Sequence, residues 1–261
     1  MARVLPLLLP MLALAAPVFA AEIGSFDRTL NVNGAVDLEI ENNSGRVTVR
    51  PGDTNTVRIH AVISTWDGGF LSDATQRARE IEANPPIRQT GNSIRIDRLD
   101  DRHISVAYDL VVPAATRLQS KTGSGGQSVE GIQGPVTATA GSGGIQVAGI
   151  GDAVTLQTGS GGIEFDSVKG RIEASTGSGG IRGMNLAGPI AAHAGSGGIT
   201  LRLAGTTGFD VHAQTGSGQI YVNPPITMQS SSFGRHEVRG QIRGGGASID
   251  VTTGSGGVRI E

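Results

Sequence analysis

The chain has 261 residues, and loss of Arg3 with a secretion leader would leave 20 basic against 23 acidic side chains. That slight acidity excludes a nucleic-acid or anionic-membrane partner held by bulk charge. There is no cysteine, which removes disulfides, thiol catalysis, cysteine metal sites and a lipid-anchored cysteine.

Residues 1–20 read as a signal peptide: Arg3, an apolar run from Val4 to Ala16, Pro17, and a Val18-Phe19-Ala20 box with cleavage after Ala20. The run is too short for a transmembrane helix, and no later stretch is apolar enough to be one. The expected location is therefore the periplasm or the cell exterior.

Residues 21–117 read as an irregular first segment. Val36 to Glu41 alternates, Asn43-Ser44-Gly45-Arg46 forms a corner, and Val47-Thr48-Val49 and Val57-Arg58-Ile59 follow as two strands. Asp67-Gly68-Gly69 opens an insertion. A helix is predicted over 72–82, with Ser72 or Asp73 as cap, Ala74, Ala78 and Ile81 on one stripe, and Pro85-Pro86 as the stop. Strands resume at Ile94–Asp97 and Ile104–Val112.

From 118 to 261 the sequence repeats. GSGG begins at Gly123, Gly141, Gly159, Gly177 and Gly195 in steps of 18, then GSGQ at Gly216 and GSGG again at Gly254. After the motif, Ile145, Ile163, Ile181 and Ile199 share a column, and Val147, Phe165 and Leu201 follow two residues later. Before it, Leu118, Val136, Val154 and Ile172 alternate with outward polar residues. Spacing by two marks strands with one face inward. One rung is thus two short strands and two corners, one of them Gly-Pro-rich and the other GSGG, where glycine is expected to supply positive φ. Residues 223–246 interrupt the array as an insertion.

The predicted fold is an all-β, single-stranded parallel β-helix: a right-handed β-solenoid with 18-residue rungs and one short inserted helix. A narrow core of stacked Ile, Val and Ala suits a chain with only nine aromatic residues, one Trp, two Tyr and six Phe.

The segments LEIENNSGRVTVRPGDTNTVRI, VAYDLVVPA leading into TGSGG repeats, and RHEVRGQIRGGGASIDVTTGSGGVRI resemble a bacterial family of domains of unknown function called putative adhesins. The resemblance covers nearly all of the chain after the leader. It implies a secreted or envelope β-solenoid with a binding role, and it supplies no catalytic residues. The chain departs from it in carrying Gly where many relatives have Asp after GSG.

A calcium β-roll needs an Asp in each glycine turn, and here Ile or Gln follows instead. No phosphate-binding loop and no GxSxG elbow occurs, so Ser124 and its equivalents read as turn residues. No cofactor or metal site is predicted, and no catalytic residue.

The candidate binding face is the outward columns of the strand before the motif: Thr137, Thr155, Gln157, Glu173, His193 and His212. Glu173, His193 and His212 are expected on one face within three rungs, roughly 10 Å end to end at strand spacing. That trio is the only hint of acid-base or metal chemistry, and such residues on a solvated strand are more often plain surface. Trp66, which could instead pack under the helix, and Tyr221, outward beside Val222, could stack on a sugar. The expectation is a non-enzymatic binding scaffold for a glycan, an envelope polymer or a surface protein. The alternatives are a carbohydrate-active β-helix enzyme, a polysaccharide lyase or hydrolase, and a purely structural periplasmic protein.

Overall fold

A computed structural model describes residues 21–261 other than 54, 66–70, 102 and 229–235. The predicted signal peptide and Trp66 lie outside the described residues.

In chain order the first segment gives β1 (Ala21–Asn31), β2 (Asp37–Asn42), β3 (Val47–Gly52), β4 (Thr56–Thr65), α1 (Leu71–Ala83), β5 (Ile87–Thr90), β6 (Ser93–Ile96) and β7 (Ile104–Pro113). The regular rungs follow: β8 (Arg117–Thr122) with β9 (Gln127–Glu130), β10 (Val136–Ala140) with β11 (Ile145–Ala148), and β12 (Val154–Thr158) with β13 (Ile163–Asp166). Next come β14 (Ile172–Thr176) with β15 (Ile181–Leu186) and β16 (Ile190–Ala194) with β17 (Ile199–Leu203). The chain ends with β18 (Phe209–Thr215), β19 (Ile220–Val222), β20 (Ile226–Met228), β21 (Glu237–Ile242), β22 (Ala247–Thr253) and β23 (Val258–Ile260).

The strands form two long sheets that face each other across the core. Sheet A runs β1-β4-β7-β3-β9-β11-β13-β15-β17-β23-β19, and sheet B runs β20-β21-β18-β22-β16-β14-β12-β10-β8-β2-β6-β5. Within the array pairing is parallel and in step with the repeat: Val136 pairs with Val154 and Ile145 with Ile163. The inward columns are fully buried, Ile145, Ile163 and Ile199 among them. Each such side chain contributes on the order of 1.5–3 kcal/mol.

Two inward columns add to those the alternation predicts. Ile132, Ile150, Val168 and Leu186 are buried from the Gly-Pro-rich corner. At the other corner, the residue before each motif is buried Thr in five rungs: Thr122, Thr158, Thr176, Thr215 and Thr253. Their hydroxyls donate to corner carbonyls; Thr176 Oγ1 reaches Gly161 O at 2.9 Å and accepts from Gly179 N at 3.0 Å. For Thr158, Thr176, Thr215 and Thr253 the acceptor lies in the adjacent rung, which ties rungs together at the corner, whereas Thr122 bonds Gly125 of its own rung.

The motif glycines are needed for a reason other than positive φ. None of the glycines in the GSGG and GSGQ motifs has a left-handed φ. That conformation falls at the opposite corner, at Gly131, Gly149, Ser167 and Asn185, again in steps of 18. In the motif the constraint is stacking: a Cβ on the first or third glycine would lie within 2.5 Å of a carbonyl oxygen of the adjacent rung. On the fourth glycine the nearest atom would be a carbonyl oxygen of the next rung at 3.4–3.6 Å, an ordinary contact, except at Gly180, where it would be a tight 3.3 Å. The degenerate corner at Arg46, which lies beside the stacked Gly126 corner, agrees by carrying a side chain at the fourth position.

The ends depart from chain order. The last rung, β22–β23, lies between β16–β17 and β18–β19, so Ile249 pairs with both Ile190 and Val211. At the other end β2–β3 lies between β8–β9 and β6–β7. Residues 57–59, expected as a strand of the irregular first segment, belong to β4, which runs antiparallel to β7. The insertion at 223–246 is not irregular throughout: it contains β20 and β21, antiparallel to each other and to β18. Helix α1 starts at Leu71, with Asp73 in its first turn. It buries Ala78 and Ile81 as its stripe requires, and Glu82 Oε1 accepts from Ser25 N at 2.7 Å, which places the helix on edge strand β1.

Candidate binding faces

On the outer side of sheet B the predicted face exists as aligned columns. Thr137, Thr155 and Glu173 are consecutive partners, and Gln157 pairs with Thr139 and Ser175. Thr137, Thr155, Gln157, Glu173 and His193 are exposed.

The expected trio does not converge. Because β22 intervenes, Glu173 reaches His212 only through Ala191 and Asp250, three strand steps or about 14 Å. His193 stands in the adjacent column, between Ser175 and Thr252. Glu173 is engaged by Arg171 at 3.4 Å. His212 sits between Glu237, 3.4 Å away, and Asp250, 3.7 Å away. Glu237 is held below the usual carboxylate range, first by its hydrogen bond from Arg239 and then by Gln214. Among the described residues no three His, Asp or Glu side chains are arranged to hold a metal ion.

The outer side of sheet A is more featured. The alternation that buries Ile145 and Ile163 turns Ser128, Gln146, Glu164, Arg182, Thr200 and Arg259 outward in one column. Three shallow clefts of about 320, 200 and 490 Å³ lie along it. Ser128, Gln146 and Glu164 stand between the first two: the first lies on their glycine side, with Gly126, Gly144 and Gly162, and the second lies on their other side, with Glu130, Ala148 and Asp166; the third shares Glu164 and Met184 with the second. Ion pairs brace the walls of the third: Arg182–Glu164 at 3.3 Å, Arg202–Glu261 at 3.1 Å and Arg259–Glu261 at 3.0 Å. Arg259 and then Arg202 hold the Glu261 carboxyl below its ordinary range.

Tyr221 ends the column, exposed at 51 %, with the Arg259 guanidinium 5.0 Å from its ring centroid. Apart from Tyr221, this face went unremarked in the sequence, although the same period-two alternation specifies it. A separate cleft of about 510 Å³ lies near the start of α1, lined by Asp73, Arg77, Asp101 and His103.

Stacked short strands, glycine corners and polar outward columns define a β-solenoid whose distinguishing surface is a repeated face. The chain belongs to the Toastrack DUF4097 family, whose model matches residues 35–261. No curated protein matches it in sequence. Among solved structures it is similar to a putative cell adhesion protein from Clostridium sporogenes ATCC 15579, at 13 % identity over 90 % of this chain and 97 % of that one, with a TM-score of 0.42. A putative adhesin from Bacteroides fragilis NCTC 9343 is similar at 11 % identity over 91 % and 97 % of the two chains, TM-score 0.42.

Proposed function

We propose that the protein is a non-enzymatic, exported β-solenoid that binds an envelope polymer, glycan or surface protein through its repeated faces, in the periplasm or outside the cell. The observation that supports it is that both sheets present outward, largely polar side chains in register rung after rung, with shallow clefts beside the column on sheet A. Repeated weak contacts sum along a polymer far better than on a monomer. The enzyme reading needed Glu173, His193 and His212 to converge, and the intercalated β22 separates them. No described helix is long and apolar enough to cross a membrane.

Co-sedimentation of residues 21–261 with intact cells and isolated envelopes tests this. The expected result is saturable binding that polymeric fractions displace and monomeric sugars do not. Recovery in the supernatant against every envelope fraction would remove the binding role. Mass spectrometry of native protein should find Ala21 as the N-terminus, and a bulk population retaining Met1 would remove the export claim.

A further inference from the structure

The connection from β1 to β2 holds the one Asn-Gly step of the sequence, Asn33-Gly34. Val32 and Val36 are buried on either side of it, so the bend between them carries Asn33, Gly34 and Ala35 out into solvent. Gly34 has a left-handed φ of 89°, and a Cβ there would meet nothing within 4 Å. Among the described residues none hydrogen-bonds the Asn33 side chain or the Gly34 N–H.

An asparagine amide is thermolabile, and most so beside an unhindered main-chain N–H. The Gly34 nitrogen attacks Asn33 Cγ; an N–Cγ bond forms, the Cγ–Nδ2 bond breaks, and ammonia leaves with the proton of the Gly34 N–H. The product is a five-membered succinimide. Water then opens the ring, at Cγ to give aspartate or at the α-carbonyl to give isoaspartate, in which the main chain runs through the former side chain. Glycine leaves the approach open, whereas any other following residue brings a Cβ against it.

Most other asparagines are withheld from this reaction. Asn84 and Asn223 precede proline, which has no N–H. The Val32 N–H after Asn31 donates to Asn55 O at 3.0 Å. Asn42 is buried with its Nδ2 donating to Val106 O at 2.8 Å, and Asn185 Nδ2 donates to Asp166 Oδ1 at 2.7 Å. Asn43, half-buried and followed by Ser44, is the nearest competitor.

The surroundings of Asn33 decide the consequence. Asn92, on the turn between β5 and β6, accepts from Asn33 N at 2.9 Å through Oδ1, and its Nδ2 donates to Asn33 O at 2.6 Å and to Ala35 O at 3.1 Å. This clamp joins the β1–β2 connection to the β5–β6 hairpin, and all three bonds are made to main chain. Aspartate at position 33 leaves that main chain as it is. Isoaspartate lengthens it by one carbon before Gly34 and turns Asn33 O into part of a carboxylate beside the path, so the three bonds can no longer be made together.

We infer that Asn33 is a self-modifying site of the folded protein, losing ammonia without an enzyme, and that its isoaspartyl product releases the Asn92 clamp. The inference is independent of the binding role proposed above.

Ageing folded residues 21–261 in mildly alkaline buffer, followed by tryptic mapping, tests it. Cleavage after Arg28 and Arg46 puts Asn31, Asn33, Asn42 and Asn43 on one peptide, so the sites compete within it. The expected result is the mass gain of an amide turned to acid at Asn33 ahead of the other three, in two isobaric peptides that chromatography separates. Asn33→Gln, which cannot close the five-membered ring, should abolish the gain. Hydrogen exchange at the amides of residues 33 and 37, both bonded to Asn92, should be faster in the isoaspartyl fraction and native in freshly made Asn33→Asp. Asn92→Ala should reproduce the faster exchange without ageing. A gain that comes first at Asn43, or at Asn33 only in denaturant, would overturn the site, and native exchange in the isoaspartyl fraction would overturn the release.

Discussion

The middle of the solenoid and its ends are built from the same rung by different routes. From β10 to β17 each rung lies on the one made 18 residues earlier. At the ends, space and sequence disagree: β22–β23 is wedged between rungs that precede it in the chain, and β2–β3 is enclosed by β6–β7 and β8–β9. The difference shows that repetition extends a solenoid but does not end one. A bare terminal rung would leave strand edges and half of its inward face open. Here antiparallel strands β4 and β1, β5, and β21 and β20 close three of the four sheet ends, β19 being the edge of the fourth, and a rung placed out of order ties the ends to the array.

The largest effect should come from removing the wedge. Deleting 247–261 takes away β22 and β23, the strands through which β18 and β19 reach the array. Hydrogen exchange should then show residues 209–242 exchanging near unfolded rates while 118–203 stay protected. Full protection of 209–242 would mean that the slot closes unaided and that the wedge is not what joins end to array.

Within the array, Gly161 and Gly162 are adjacent, but their missing side chains face different surroundings. A Cβ at Gly161 would collide with the Gly143 carbonyl, whereas one at Gly162 would sit 3.6 Å from Gly180 O. Gly161→Ala should cost about 3 kcal/mol or more by forcing two rungs apart. Gly162→Ala should change stability by less than about 0.5 kcal/mol. Denaturant melts giving equal losses would sink the stacking account of the motif.

Most of the array was legible because its signal is local: a period of 18, alternation by two and glycine corners name the rung and its inward columns. Helix α1 was legible for the same reason, from Ala74, Ala78, Ile81 and the double proline. The physical role of the motif glycines was misread, since close approach between rungs is a stacking property that one rung does not display. The position of β22 was invisible because an intercalated strand has the same inward pattern, Ile249 and Val251, as a strand in chain order. That misplacement carried into the candidate site, where it separated Glu173 from His212. The outward column on sheet A was written in the same alternation, but the clefts beside it depend on how the stacked rungs curve, and sequence pattern holds no information on concavity.

A smaller effect lies in the buried Thr column, where Thr176 bonds Gly161 O and Gly179 N. Thr176→Val keeps the shape and leaves both groups unmatched, so it should cost about 1–2 kcal/mol. Ala140 and Ala194 stand in the same column of other rungs, so the column can omit the hydroxyl without losing the fold. Loss of less than about 0.3 kcal/mol in chemical melts would show that the stitch is decorative.

The smallest effect is set by acid, and it should separate ends from middle. Asp97, beside β6, is held below the ordinary carboxylate range chiefly by its hydrogen bond from Arg88 on β5, at 2.6 Å, with Arg95 second. Glu237 on β21 and Glu261 after β23 are lowered in the same direction by Arg239 and Arg259 respectively. A carboxylate with a depressed native pKa favours folding while ionised: that contribution is present above the unfolded value, near 4, and is lost as pH falls through the native one. All three lie on closing segments, so acidification below about pH 4 should loosen the ends before β8–β17. The groups are partly exposed and screened, which makes local exchange rates, corrected for intrinsic pH dependence, a better readout than the melting temperature. Arg88→Gln should weaken the acid response of β5 and β6, Arg95 keeping part of it, and leave that of β21 unchanged. An array that loosens in step with the ends, or an unaltered response in the Arg88 variant, would detach these ion pairs from the closure of the solenoid.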